Sequence, residues 1–86
     1  MHRPIVLSVK SYRGSDRAKA ASYRAELQLA RQIESYLNQR LSREPEGNVI
    51  EFDYWTMAAD LQVDKSTVKR VLFANGGGSN GITLRA

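Results

Sequence analysis

Residues 57–72, Met57-Ala58-Ala59-Asp60-Leu61-Gln62-Val63-Asp64-Lys65-Ser66-Thr67-Val68-Lys69-Arg70-Val71-Leu72, decide how this chain folds. Asp64 stands where a side-chain oxygen accepts from the free backbone N–H groups of a helix start, which predicts a helix from Lys65 to about Phe73. Asp53 stands the same way before a helix from Tyr54 to Leu61. Each cap is preceded by an apolar residue matched by another four positions into the helix. Phe52 with Met57, and Val63 with Val68, are thereby placed as hydrophobic staples. Two capped starts so close together leave only a tight turn near Gln62 and Val63.

Upstream, Arg17 to Ser42 contains no glycine or proline. Ala18, Ala21, Ala25, Leu29, Ile33, Leu37 and Leu41 recur at spacings of three and four, which predicts one amphipathic helix. At 1.5 Å per residue it would be about 39 Å long. That exceeds what so small a domain needs, so its alanine-rich first half is a candidate surface for a second chain. A break near Ser22, giving two ordinary helices, is the bland alternative. Asp16 or Ser15 can cap the start, and Arg43-Glu44-Pro45-Glu46-Gly47-Asn48 ends the run. Ile5 to Tyr12 alternates loosely and is rich in β-branched residues, so a strand is expected there. Short strands are also expected at Val49–Phe52 and Ile82–Leu84, the second behind the flexible loop Asn75-Gly76-Gly77-Gly78-Ser79-Asn80-Gly81. The fold class is therefore α+β, in a single domain of 86 residues with a thin core.

The net charge of +4 is unevenly spread. Arg3, Lys10, Arg13, Arg17, Lys19 and Arg24 face only Asp16 in residues 1–25, a net +5. Three arginines against eight acids give −5 over residues 26–64, and Lys65, Lys69, Arg70 and Arg85 give +4 over residues 65–86. Basic ends would draw a polyanion. With no cysteine and one histidine, His2, disulfides and thiolate or histidine metal clusters are excluded. No run is long and apolar enough to span a membrane, and residues 1–10 make a poor signal peptide, so a cytoplasmic setting is expected. Paired carboxylates and nucleophile–base sets are absent, so neither an enzyme nor a cofactor is expected.

Residues 53–72 resemble a helix-turn-helix, and with the flanking strands and long helix the chain resembles the winged helix-turn-helix family. In that family an alanine marks the close crossing of the two motif helices, an apolar residue follows in the turn, and an acid, serine or threonine caps the second helix. Ala58, Val63 and Asp64 occupy those positions, and Val68, Val71 and Leu72 supply the inward face. Two departures stand out. Gln62 sits where the turn often carries glycine, so it must accept an unusual backbone angle. One strand rather than a hairpin follows the recognition helix, so the wing, about residues 75–84, is reduced.

The resemblance implies double-stranded DNA as partner, sequence-specific binding as a transcriptional regulator or accessory factor, and the helix 65–73 in a major groove. Lys69 or Arg70 would read bases, because arginine offers guanine two donors and lysine a less directional one. Lys65, Ser66 and Thr67 would reach phosphate or base edges, and Tyr54 and Thr56 would touch the backbone. Ser79 and Asn80, at the loop tip, would lie along phosphates or the minor groove. One recognition helix makes few base contacts, so a homodimer through helix 17–42 and the N-terminal strand is expected. The same cations would also simply solvate an exposed helix face. The rival function is a winged-helix protein-interaction module that never binds DNA, with the acidic middle and Tyr54-Trp55 as its contact surface. Gly76–Gly81 matches G-x-G-x-x-G in letters, but the strand-then-helix order of a dinucleotide site is reversed.

Overall fold

The computed structural model describes residues 3–86, so His2 lies outside the described residues. The chain forms α1 (Arg17–Ser42), β1 (Val49–Asp53), α2 (Tyr54–Leu61), α3 (Lys65–Phe73) and β2 (Gly81–Arg85), an α+β arrangement. β1 and β2 pair antiparallel with Phe52 opposite Ile82 and Ile50 opposite Leu84, which turns those four side chains to one face. That face, the inward sides of α2 and α3, and the second half of α1 share one core. It holds Leu29, Ala30, Ile33, Leu37, Leu41, Phe52, Tyr54, Met57, Ala58, Val68, Val71, Leu72 and Ile82, together with Leu7. Both expected staple pairs belong to this cluster, Val63 at its margin.

Each helix start follows from its cap, with one correction. The Asp16 carboxylate accepts from the Lys19 N–H at 3.0 Å, and Asp53 accepts from the Thr56 N–H at 2.8 Å. Asp64 has the extended backbone of a cap residue, but its side chain accepts no cap hydrogen bond. Its backbone carbonyl alone starts α3, taking Thr67 N–H at 3.1 Å. The turn between α2 and α3 bends at Gln62, with φ 56° and ψ 46° in the left-handed region. Val63 N–H then closes on the Ala58 carbonyl at 3.0 Å, the bonding pattern of a left-handed helix stop. A non-glycine residue there costs roughly 1 kcal/mol, which the burial of both flanking helices offsets.

α1 is continuous for 26 residues, with no break near Ser22. The molecule is accordingly long, 45 × 25 × 20 Å. Among the described residues no helix is long and apolar enough to cross a membrane.

The expected strand at Ile5–Tyr12 does not form. The segment is an extended arm whose backbone is held by side chains. Asn38 accepts the Ile5 N–H at 2.7 Å and donates to its carbonyl at 3.1 Å. Asn75 does the same for Ser8, at 2.8 and 3.0 Å. Glu34 accepts the Leu7 N–H at 2.7 Å and Arg31 donates to its carbonyl at 3.4 Å. The alternation was meaningful, since Leu7 is buried and Ile5 and Val9 pack beside it. The sheet consists of β1 and β2 alone, so the side chains of Asn38, Glu34, Arg31 and Asn75 do for the arm what a neighbouring strand would do.

Candidate nucleic-acid interface

The inward residues of α3 fix its rotation. Val68, Val71 and Leu72 are buried, which turns Ser66, Arg70 and Phe73 to solvent with Lys69 half-buried among them. Ser66, Lys69, Arg70 and Phe73 line one shallow apolar-floored recess that Ala74 closes. Phe73 is 62% exposed. Five of the expected contact residues, Lys65, Ser66, Thr67, Lys69 and Arg70, therefore share one helix and its rim.

The three cations of α3 differ in freedom. Lys69 has no ion-pair partner among the described residues. The Lys65 ammonium lies over the Trp55 ring, 4.2 Å from its centroid. This cation–π contact ties the start of α3 to the start of α2 and leaves the charge in place. Trp55 is 68% exposed, so it is a surface residue and no part of the core. Arg70 is not free. Its Nε donates to Glu26 Oε1 on α1 at 2.5 Å. The Arg70 side chain is still 62% exposed, since the contact uses only its inner edge.

Tyr54 is a correction. It is fully buried, and its hydroxyl donates to the Gly78 carbonyl at 2.7 Å. As the first residue of α2 it points inward on the same side as Met57 and Ala58, while Asp53, Trp55 and Thr56 stay exposed, so it cannot touch a DNA backbone. Burial pushes its phenol pKa up. Its bond anchors the glycine loop, and Gly77 is required there. A Cβ at Gly77 would strike both the Tyr54 hydroxyl and the Leu72 carbonyl.

Thr56 is exposed, but its hydroxyl donates to Asp53 Oδ2 at 2.8 Å as part of the α2 cap. That carboxylate, bonded first by the Thr56 N–H and then by its hydroxyl, is held below the usual range. Ser79 and Asn80 are exposed, yet they border a recess shared with Glu51 and Asp53. Glu51 and Asp53 add two acidic residues to the lining of that recess, which disfavours phosphate there.

Periodicity gave the α3 face. Glu26 was missed, because it lies 44 positions from Arg70 and carries no local signal. Among the described residues no group of three histidine, cysteine or acidic side chains is placed to hold a metal ion. No protein-family profile matches this chain, and comparison with curated proteins and with solved structures returns no match.

Proposed function

We propose that this chain is a reduced winged helix-turn-helix protein that binds double-stranded DNA sequence-specifically, with α3 in a major groove, as a transcriptional regulator or accessory factor. The observation that carries the proposal is the rotation of α3. Its apolar side is buried, and its outer side offers Ser66, Lys69 and the outer edge of Arg70 on a rigid, close-packed helix pair. Supporting it are the left-handed turn at Gln62, the short sheet flanking the pair, and an α3 region without any acid. Lys69 gives a cation without an ion-pair partner among the described residues, the start of α3 gives free N–H groups for phosphate, and Lys65 sits beside them. A homodimer, paired along the projecting half of α1, would double the base contacts on a palindromic site.

The experiment is selection of bound duplexes from a random pool, followed by a salt titration on the selected duplex. A recovered motif, and an affinity falling steeply with salt through displaced counterions, is the expected result. A pool that returns unenriched overturns the proposal.

A second function has its own observation. Phe73, 62% exposed, opens onto the apolar-floored recess it shares with Ser66, Lys69, Arg70 and Ala74, a surface that suits contact with another protein. Binding to a protein through that apolar floor would be nearly indifferent to salt. The contact surface expected from sequence loses Tyr54, which is buried.

A further inference from the structure

Arg70 can meet a base only with the edge that Glu26 leaves uncovered. A guanidinium has an inner edge, which includes Nε–H, and an outer edge formed by its two terminal amino groups. Glu26 Oε1 takes Nε at 2.5 Å, and the side chain remains 62% exposed. The donor consumed by Glu26 is therefore not one of the two that form the outer fork. An arginine on an exposed helix otherwise samples many rotamers, and ordering it on binding has an entropic cost.

We infer that Glu26, on α1, is a positioning residue for Arg70. It holds the guanidinium by Nε so that the terminal amino groups stand ready as a two-donor fork for the N7 and O6 of one guanine. This inference rests on the proposed DNA reading and adds a specificity determinant from outside the helix pair. Ser22, Ala25, Glu26 and Leu29 of α1 line one recess with Thr67 and Arg70 of α3, so Glu26 reaches Arg70 across a built junction of the two helices. The carboxylate also has an electrostatic consequence. It is an acid close to the DNA face, so it opposes non-specific attraction to phosphate while it sharpens recognition of one base.

Those two effects have opposite signs, and the test uses this. Dissociation constants are measured for the wild-type chain, Glu26→Ala, Glu26→Gln, Arg70→Ala and the Glu26→Ala/Arg70→Ala double variant. Each is titrated on the selected duplex, on a scrambled duplex, and on the selected duplex with 7-deazaguanine at the base Arg70 reads. Glu26→Ala is expected to bind the selected duplex about tenfold more weakly, within what one arginine–guanine pair commands, while holding or gaining affinity for the scrambled one. Glu26→Gln keeps an oxygen acceptor and is expected to recover most of the loss. The double variant should bind like Arg70→Ala alone, and 7-deazaguanine should weaken the wild type but not Glu26→Ala.

Structural damage would weaken both duplexes together, and a melting scan of each variant checks it directly. Equal specificity in Glu26→Ala and wild type, or losses that add in the double variant, overturns the positioning role and leaves DNA binding intact. A wild-type chain that selects no duplex overturns the DNA reading itself.

Discussion

The two halves of α1 carry the same apolar period and meet opposite fates. In the second half, Leu29, Ala30, Ile33, Leu37 and Leu41 are buried. In the first, Ala18, Ala21 and Ala25 continue the stripe and are all exposed. α2, α3 and the small sheet cover the helix from about Leu29 onward, and the arm follows it on a flank. Fully burying a leucine or isoleucine contributes about 1.5–3 kcal/mol, and an alanine methyl only a fraction of that. The packed half is therefore held by tertiary contact. The projecting half stands on alanine's helix propensity, the Asp16 cap, continuity with the turns behind it and, at its inner end, the Glu26–Arg70 pair. Periodicity tells which face of a helix is apolar; it does not tell whether anything faces it.

The largest expected effect comes from breaking what covers the packed half. Val68 is fully buried on the inner side of α3. Val68→Asp would place a charge in that core and is expected to abolish the cooperative thermal transition, since an unpaired buried carboxylate costs several kcal/mol. A retained transition would mean that α3 is rotated differently from the structure described.

Next in size is a matched pair. Leu37 is fully buried, and Leu37→Ala is expected to cost about 2–5 kcal/mol. Ala21→Gly in the projecting half should cost no more than about 1 kcal/mol, the propensity difference alone. Chemical denaturation of the two variants gives the ratio. Similar losses at both sites would show that the first half is packed in solution.

These variants also mark how far the sequence could be read. The bounds of all three helices were legible, because the caps at Asp16 and Asp53, the breaker pair Pro45 and Gly47, and the apolar spacing are local signals. β1 and β2 were legible to within a residue. The N-terminal strand was not, because a strand is defined by its partner. The groups that bind the arm backbone, Asn38 and Asn75, lie 33 and 67 positions away. Of the site, the outward face of α3 followed from three buried residues. The engagement of Arg70 by Glu26 and the burial of Tyr54 depend on how elements distant in sequence come together, which no spacing encodes.

A pH series sharpens the comparison through one bond of the packed half. Tyr36 of α1 donates to Asp60 Oδ2 of α2 at 2.6 Å. Burial first, then the hydrogen bond to Asp60, pushes its phenol pKa up to about 12. In the unfolded chain the phenol ionises near the ordinary value of 10.0. A folded pKa above the unfolded one gives stability that is fully present below pH 10 and is lost as pH rises toward 12. Stability should therefore fall across that window, and Tyr36→Phe should flatten this part of the fall. An unchanged alkaline profile in Tyr36→Phe would mean that the α1–α2 bond does not persist in solution.

The smallest expected effect is the most informative about the bare half. Ala21→Glu places a charge on the exposed alanine face, away from the core. In a dilute monomeric sample it should move stability by no more than about 0.5 kcal/mol, as surface substitutions do. Amide hydrogen exchange should report early opening of residues 17–25 and late opening of residues 29–41 in both proteins, because local opening follows tertiary contact. If a second copy pairs along this face, sedimentation at rising concentration will show association in the wild-type chain and its loss in Ala21→Glu. Exchange of residues 17–25 will then slow with concentration in the wild type alone. If both proteins stay monomeric, the projecting helix is a bare rod and the dimer proposal falls. The DNA proposal would then have to stand on the contacts of a single α3.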